Sequence, residues 1–454
     1  MNSHLATLKK ELQSLKLSAE FWDVRIEDSF KTQIDSLEGD ISSATCSPSL
    51  GAFVRLRKNS FWMFESTTDL TKIKNVLQKL DETKTPIKEA TPYPSQKAAP
   101  FLKLSAKDKK ISAIPMKDKI SLVAHYTEIL KNYPKIVSSK VRYRDEYKVK
   151  SYLNSLGTEF EFDFNQGGLT LIYTLKDGSE KFEDFYRIYG SDFSQLKVSD
   201  ELIYDFIKES EAFIHAPSIT PGKYRVLLDP EVAGIFTHES FGHKSEADFM
   251  LGNTTALEEW KIGKKIAADC LSIVDDGTFE RTSGYCPIDD EGIPAQKNYL
   301  IKDGVLMGRL HSIETAQALN EKPTGNARAM TFEWEPIVRM TSTFIEPGTE
   351  SINSILARCE GALLVKGAKH GSGLSTFTIA PNRGYLIGPK QSKTPVKLAV
   401  ISGSVFETLG NIEAVSSEFE LHSSAIGGCG KMDQSPLPVS DGGPYVLVKE
   451  MQVS

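Results

Sequence analysis

Two histidines and a glutamate stand close together in the segment Thr237-His-Glu-Ser-Phe-Gly-His243. Imidazoles at such a separation, with a carboxylate directly after the first, are typical of zinc hydrolases. The commoner spacing of four residues advances about 400° around a helix, whereas five residues advance about 500°. His238 and His243 can therefore bind one ion only if the helix ends or widens between them. A π-bulge near Gly242 would widen it, because the period of a π-helix is five residues.

A third protein ligand is needed, because a catalytic zinc usually binds three side chains and keeps one position for water. Cys429 is the first candidate, since the glycines of residues 426–431 would let the backbone approach the helix. A metal would hold its sulfur as the thiolate. Glu246, three residues after His243, is the competing candidate and would give a site of nitrogen and oxygen donors only. The alternatives are two histidines that merely pack within a helix, and an inert buried cysteine.

The remaining cysteines and histidines stand in no comparable pattern. We expect them to be ordinary core or surface residues: Cys46, Cys270, Cys286, Cys359, His4, His125, His215, His311, His370 and His422.

The element that must position the histidines is a helix preceded by a strand. Residues 224–228 are predicted to form a buried strand, after which Asp229 can cap a helix that begins at Pro230. The rest of the second half is rich in strand patterns and glycine. The sequence thus predicts a strand-rich domain that carries the metal-binding helix.

The first half predicts helices on an antiparallel sheet, so the fold class is α+β with two domains, residues 1–216 and 217–454. Helices are predicted at residues 5–17, 69–80, 117–132 and 198–213. Strands are predicted at residues 52–57, 61–64, 141–149, 159–164, 169–175 and 180–189, with hairpin turns at Gly167-Gly168 and Asp177-Gly178. A proline- and lysine-rich connection spans residues 83–119. We interpret its lysines as solvated; a phosphate-binding patch at Lys103, Lys107, Lys109 and Lys110 is the alternative.

Composition limits the class of protein. The 454 residues carry 54 Lys+Arg and 60 Asp+Glu, a net charge of −6, which argues against direct nucleic-acid binding through a basic face. No apolar run of about 18 residues predicts a membrane span, and the opening residues lack the pattern of a signal peptide. Five cysteines, an odd number, fit a reducing compartment. The sequence predicts a soluble cytoplasmic protein.

The segment from Thr237 to Phe249 closely resembles the motif of the TldD/PmbA family of metallopeptidases, once described as modulators of DNA gyrase. Other segments similar to the family occur along nearly the whole chain: residues 51–56, 61–67, 288–292, 296, 324–328, 336, 339–341, 429–431 and 434. Four positions depart from the usual pattern, namely Ser240, Lys244, Met432 and Asp433. These departures leave subsite preference and choice of partner open.

The resemblance implies a set of roles. Active members carry His-Glu-x-x-x-His and inactive paralogues lack it, so this chain resembles the active type. His238, His243 and Cys429 would bind one Zn²⁺ per chain, and Glu239 would be the catalytic general base. The implied partner is a second subunit, in a homodimer or in a heterodimer with an inactive paralogue lacking the motif.

The resemblance also implies an activity, a zinc-dependent endopeptidase that cleaves unfolded peptides. The alternatives are a non-catalytic regulatory or binding subunit with a structural metal site, and a zinc amidase for small molecules. Glycine-rich positions could line the peptide cleft or be ordinary turns: Gly361, Gly367, Ser372 and Gly373. Glu246 and Asp248 could orient the imidazoles or form the polar side of a helix end.

Overall fold

The computed structural model describes residues 3–86, Tyr93, residues 101–104 and residues 110–454. Over these residues the chain is an α+β protein, as its sequence predicts. Helices pack on one long antiparallel sheet in the first half, whereas short helices lie among several sheets in the second.

One seven-stranded sheet organises the first half, in the order β3-β2-β1-β5-β6, with β4 and β7 both paired to β6. Its strands are β1 (Phe21–Leu37), β2 (Asp40–Lys58), β3 (Phe61–Thr67), β4 (Phe101–Lys103), β5 (Ile136–Asn154), β6 (Glu159–Asp177) and β7 (Glu180–Gly190). All pairs are antiparallel except β4 with β6. Its longest strands have 19 residues, and residues of this sheet contact the second half of the chain, as Arg25 does with Thr331 and Lys150 with Asp290.

Helices cover this sheet in two groups. They are α1 (Ser3–Gln13), α2 (Ile73–Glu82), α3 (Met116–Lys131) and α4 (Asp200–Glu211). Leu12 of α1 packs with α2 over Val24 and Val54, while α3 and α4 pack over Tyr143 and Leu171. These helices confirm the four helices predicted in the first half.

The hairpin turn predicted at Gly167-Gly168 is wrong. Both glycines lie inside the continuous strand β6, paired to β5 and β7. A Cβ at Gly167 would lie 2.6 Å from Cδ1 of Ile111, and one at Gly168 would lie 2.9 Å from the carbonyl oxygen of Ile188. The glycines thus serve close packing rather than a turn. The turn predicted at Asp177-Gly178 is confirmed, and Gly178 has a φ of +59°.

The described parts of the connection at residues 83–119 are attached to the first sheet. Strand β4 pairs with the start of β6, and the ring of Tyr93 lies 4.7 Å from that of Phe21. Lys103 forms an ion pair with Glu280, and Lys110 lies over the ring of Tyr147. Lys107 and Lys109 lie outside the described residues.

Two larger sheets and two small hairpins make up the second half. Its strands are β8 (Gly222–Leu228), β9 (Ile273–Asp276), β10 (Lys297–Lys302), β11 (Val305–Leu306), β12 (Ala327–Arg328), β13 (Ile337–Val338), β14 (Ser342–Ile345), β15 (Leu363–Gly373), β16 (Thr376–Ile387), β17 (Lys393–Val396), β18 (Ile401–Ser404), β19 (Ile412–Val415), β20 (Glu420–Ser423), β21 (Cys429–Lys431), β22 (Gln434–Leu437), β23 (Ser440–Gly443) and β24 (Val446–Val453). Its helices are α5 (Pro230–Thr237), α6 (Thr254–Glu259), α7 (Ile313–Leu319), α8 (Ile352–Leu356) and α9 (Val405–Gly410).

The larger of these sheets closes on itself. Strand β15 pairs with both β8 and β16, so β8, β24, β18, β16 and β15 form a ring. The other sheet has the order β11-β10-β9-β14-β23-β20. Helix α5 lies between the two, because a Cβ at Gly234 would lie 2.3 Å from the backbone of Gly442 in β23 and Ile235 contacts Gly371 of β15.

The two halves meet through buried polar contacts, although no sheet of the described residues takes strands from both. Arg25 of β1 donates hydrogen bonds to the carbonyl oxygens of Thr331 and Trp334, and Arg383 of β16 pairs with Asp184 of β7. The division at residue 217 stays a prediction. None of the described helices combines the length and apolar character required to cross a lipid bilayer.

Candidate metal centre

Helix α5 begins as the sequence predicts. Asp229 is the N-cap, and its carboxylate accepts hydrogen bonds from the backbone N–H of Val232 at 2.9 Å and of Gly367 at 3.1 Å. Burial raises the pKa of Asp229 to about 7. Pro230 occupies the first helical position, where its missing N–H has no intrahelical partner to lose. The cap thus ties the start of α5 to β15.

The helix widens at its end, which confirms the predicted π-bulge. Residues His238–Gly242 form a π-helix, in which the N–H of His243 donates to the carbonyl oxygen of His238. The two imidazoles thereby reach the same side, with ring centroids 5.1 Å apart and an interplanar angle of 86°. Gly242 is needed here for space as well, since a Cβ would lie 2.1 Å from Sδ of Met340.

A hairpin of β21 and β22 brings Cys429 to the histidines. Gly428 precedes it with a φ of +150°, and a Cβ there would lie 2.4 Å from the carbonyl oxygen of Leu437. The Sγ atom of Cys429 lies 3.5 Å from Nε2 of His243. Donor atoms of His238, His243 and Cys429 all lie within 4.8 Å of one another. We call these three residues the donor triad.

In the donor triad, the negative charge of the Cys429 thiolate and the positive charges of the two histidines stabilise each other. Burial alone would raise the thiol pKa of Cys429, but the positive charges of His238 and His243 lower it to about 5. Burial likewise opposes protonation of His243, yet the thiolate and Glu246 raise its pKa to about 10. Burial opposes the charge on His238 too, and the thiolate raises its pKa. A thiolate is thus available at neutral pH.

The triad fits a divalent metal such as zinc. Within the described part of the chain, the buried Nδ1 of His238 has no hydrogen-bond partner. Two nitrogens and one sulfur within 4.8 Å match the donor set and spacing of a zinc site, where bonds measure about 2.0–2.3 Å. His238 and Cys429 are each 4% exposed, so the surrounding protein covers most of both side chains.

Glu239 lies beside the triad, and together with the triad it lines one large cavity. It is half-buried, and a Cβ at Gly371 would lie 2.8 Å from its Cγ. A Cβ at Gly373 would lie 2.6 Å from its carbonyl oxygen. Two glycines of β15 thus let the strand pack directly on Glu239. Its carboxylate makes no hydrogen bond within the described residues, which leaves it available to a ligand.

The cavity has a volume of about 1380 Å³ and is lined by both halves of the chain. Phe185, Tyr186 and Arg187 of β7 form the part of its wall that comes from the first sheet. Of the predicted cleft glycines, Gly367 and Gly373 line the cavity, as does Ser372. Gly361 does not: it lies in a turn with a φ of +81°.

Glu246 lies behind His243, outside the donor triad. Its Oε2 is 3.1 Å from Nδ1 of His243, the ring nitrogen that faces away from Cys429. Burial would raise the pKa of Glu246, but His243 and Lys431 lower it. Asp248 instead contacts Lys431, at 2.7 Å. The geometry therefore favours Glu246 as the residue that orients His243 over Glu246 as a ligand.

Sequence reasoning missed several residues of this region. His370 and His422, expected to be isolated, line the cavity. Lys431, in the same hairpin as Cys429, and Arg339 are both buried, and Arg339 donates to the carbonyl oxygen of Cys429 at 2.7 Å. The one available signal was the spacing of Cys429 and Lys431, since alternate residues of a strand share a face.

The other cysteines and histidines behave as expected. Cys46 and Cys270 are exposed, Cys286 and Cys359 are buried, and all are unpaired. The remaining described histidines contact carboxylates away from the cavity: His125 with Asp200, His215 with Asp177 and His311 with Glu321. The side chain of His4 lies outside the described residues.

Comparison with solved structures shows the fold. A protein from Thermotoga maritima, described as a candidate modulator of DNA gyrase, superimposes with a TM-score of 0.76 at 18% identity, over 99% of this chain and 98% of its own. TldE from Thermococcus kodakarensis superimposes with a TM-score of 0.73 at 16% identity, over 100% of both chains.

Comparison of sequences identifies the family. A metalloprotease from Synechocystis sp. is 32% identical over 468 aligned positions, which cover 99% of both chains. A zinc metalloprotease TldD homologue from Saccharolobus solfataricus is 31% identical, over 71% of this chain and 72% of that protein. The model of the PmbA/TldA metallopeptidase C-terminal domain matches residues 221–454, and that of the central domain matches residues 109–213. These matches confirm the predicted resemblance: the chain belongs to the PmbA/TldA (TldD/PmbA) metallopeptidase family.

Proposed function

We propose that this chain is a zinc-dependent endopeptidase that cleaves unfolded peptides. The observation that carries the proposal is the donor triad within 4.8 Å, next to an unengaged Glu239 at the wall of a large open cavity. The family supports peptide hydrolysis, and one relative is named a zinc metalloprotease. His238, His243 and Cys429 are the proposed ligands of one zinc ion per chain.

The proposed chemistry divides between the metal and Glu239. Bound zinc would polarise the scissile carbonyl and lower the pKa of a water molecule. Glu239 would accept the proton of the attacking water and pass it to the nitrogen of the leaving amine. Because its carboxylate has no hydrogen bond to give up, that transfer breaks no contact within the described chain. Glu246 would hold the ring of His243 in the orientation that presents Nε2.

The shape of the cavity supports an extended peptide as substrate. Strand β15 pairs with β8 only through residues 363–365, so one edge of residues 368–373 has no strand partner among the described residues. One face of this segment packs on Glu239 through Gly371 and Gly373, so a chain paired along the free edge would lie beside that residue. A substrate backbone could add to it as a further strand, and only an unfolded chain can do so.

The variant Glu239→Gln tests the proposed role of the carboxylate. It should retain zinc, because Glu239 is outside the donor triad, and it should lose cleavage of an unfolded peptide. General acid–base catalysis contributes about 10²–10⁴-fold, so a loss of that size is expected. Glu258→Gln, on the exposed surface of α6, is the matched control and should cleave as the wild type does. A fully active Glu239→Gln enzyme would remove this residue from the mechanism.

A chelator separates the proposal from its alternatives. It should abolish peptide cleavage by a zinc peptidase, whereas a binding subunit with a structural metal would lose only thermal stability. Hydrolysis of small amides without cleavage of unfolded peptides would favour an amidase.

We further propose a dimer, either of this chain or with a paralogue lacking His-Glu-x-x-x-His, in the cytoplasm. Five unpaired cysteines support the compartment, and light scattering measures the assembly.

A further inference from the structure

Lys431 is a buried lysine whose ammonium group contacts two carboxylates and one backbone carbonyl oxygen. Its side chain is 1% exposed, and its Nζ lies 2.7 and 2.8 Å from the two carboxylate oxygens of Asp248. The same Nζ lies 3.2 Å from Glu246 and donates to the carbonyl oxygen of Val338 at 2.7 Å. An ammonium so deeply buried is tolerated because two carboxylates face it.

Lys431 and Cys429 share one face of the same hairpin, since they are two residues apart in β21. Cys429 approaches Nε2 of His243. Lys431 contacts the carboxylate of Glu246, which in turn contacts Nδ1 of the same His243 ring. The hairpin therefore reaches both nitrogens of one imidazole, directly on one side and through Glu246 on the other.

Removal of the ammonium would deprive Asp248 of its ion-pair partner and Glu246 of one of its two cationic neighbours, since Oε2 of Glu246 lies 3.1 Å from His243 and 3.2 Å from Lys431. The carboxylates of Glu246 and Asp248 would then repel each other and move apart, because the one Nζ that lies between them would be gone. Arg339 does not substitute, since its guanidinium donates to the carbonyl oxygens of Cys429 and Gln434. Glu246 would lose the contact that holds it against His243.

We propose that Lys431 is a positioning residue of the metal centre, which fixes Glu246 on His243 as the hairpin delivers the thiolate. The proposal rests on the proposed function of the donor triad in binding metal. It goes beyond that function because Lys431 is not one of the proposed ligands, and its Nζ contacts Asp248, Glu246 and the carbonyl oxygen of Val338 instead. Its effect should appear in metal binding before any substrate is present.

The experiment titrates metal-free protein with Co²⁺, whose thiolate charge-transfer absorption reports Cys429 as a ligand. Lys431→Met should raise the Kd by about 10–100-fold, the range for residues that orient a ligand, and should weaken that absorption. Lys119→Met is the matched control: Lys119 is also a buried lysine that pairs with a carboxylate, Asp145, but it lies in the first half. It should leave the Kd unchanged.

A double-mutant cycle tests whether Lys431 acts through Glu246. If it does, Lys431→Met combined with Glu246→Gln should bind Co²⁺ no more weakly than Glu246→Gln alone. Additive losses would overturn the proposal, as would a folded Lys431→Met protein with the wild-type Kd. If Lys431→Met alone does not fold, the double variant, which buries no unpaired charge on Glu246, decides in the same way. Wild-type protein that binds Co²⁺ without thiolate absorption would instead overturn the proposed metal site.

Discussion

Two buried polar groups can be compared, the donor triad and a cluster where the first sheet meets residues 289–291. In this second cluster, which we call the ion-pair cluster, opposite charges alternate. Its members are Asp23, Arg25, Arg55, Lys150, Asp290 and Glu291. Both groups are largely withdrawn from water.

The partners differ between the two groups. In the ion-pair cluster Arg55 lies 2.7 Å from Asp23 and 3.2 Å from Glu291, and Lys150 lies 2.8 Å from Asp290. Lys150 and Arg25 lower the pKa of Asp290 to about 2 although burial opposes its charge. Every member thus finds its counter-charge within the chain.

The donor triad brings together three groups that all offer electron pairs. Such groups converge at a cost unless protons or a cation lie among them. The comparison teaches that burial and charge alone do not mark a functional site. A buried cluster in which every charge has an opposite charge within the chain supports the fold. A buried cluster made only of electron-pair donors indicates a binding site for a cation.

The largest expected effect would come from Cys429→Ala. Loss of one of three donors should abolish metal retention and peptide cleavage, while the fold should persist because the triad is not needed to join the two halves. Metal content by mass spectrometry and circular dichroism measure the two outcomes. Cys286→Ala removes an equally buried cysteine, 4% exposed like Cys429, and should keep metal and activity. Retention of metal by Cys429→Ala would break the comparison.

The next effect, on stability, should come from the ion-pair cluster. Arg55→Met leaves Asp23 and Glu291 buried without their cation, which should lower the free energy of unfolding by about 3–5 kcal/mol. Urea unfolding measures this loss, and the affinity for metal should not change. Lys103→Met breaks the exposed pair with Glu280 between the halves and should cost less than about 1 kcal/mol. Equal losses from the two variants would contradict a special role for the buried cluster.

The smallest effect concerns pH. Folding lowers the pKa of Cys429 from 9.0 to about 5, so its stabilisation is complete above pH 9.0 and is lost as the pH falls to about 5. Folding raises the pKa of His243 from 6.5 to about 10, so its stabilisation is complete below pH 6.5 and is lost as the pH rises to about 10.

These two slopes oppose each other between about pH 6.5 and 9.0, and His238, whose pKa the thiolate also raises, adds to the loss as the pH rises. In the presence of a chelator, the difference in unfolding free energy between wild type and Cys429→Ala should be largest within this range and should decrease as the pH falls to about 5 or rises to about 10. Denaturation at a series of pH values measures it. Asp290, with a pKa of about 2, stays ionised across the whole range. A difference that does not decrease on either side of this range would show that the thiolate and the imidazolium groups do not stabilise each other.

The local part of the site was predictable from the sequence. Asp229 and Pro230 mark the start of α5, and the five-residue spacing of His238 and His243 predicts the π-helix that the structure contains. These features depend on backbone hydrogen bonds within a few residues, which residue type and spacing determine.

The tertiary part was not predictable. Gly167 has the residue type of a turn, but its role depends on Ile111, a contact that no local pattern contains. The partners of Lys431 come from residues 246, 248 and 338, so its burial follows from the packing of three segments. The flanking glycines and then the family resemblance, rather than spacing, selected Cys429, because 186 residues separate it from His243.

Strand β24 ends the described chain, yet it pairs with β8, the strand that leads into α5, and with β18 and β19. During synthesis the first half can fold while later residues are still being added. The ring of strands cannot close until residues 446–453 have left the ribosome, and the Cys429 hairpin emerges only shortly before them. A nascent chain therefore carries His238 and Glu239 for some 200 residues of synthesis before the proposed metal centre can assemble.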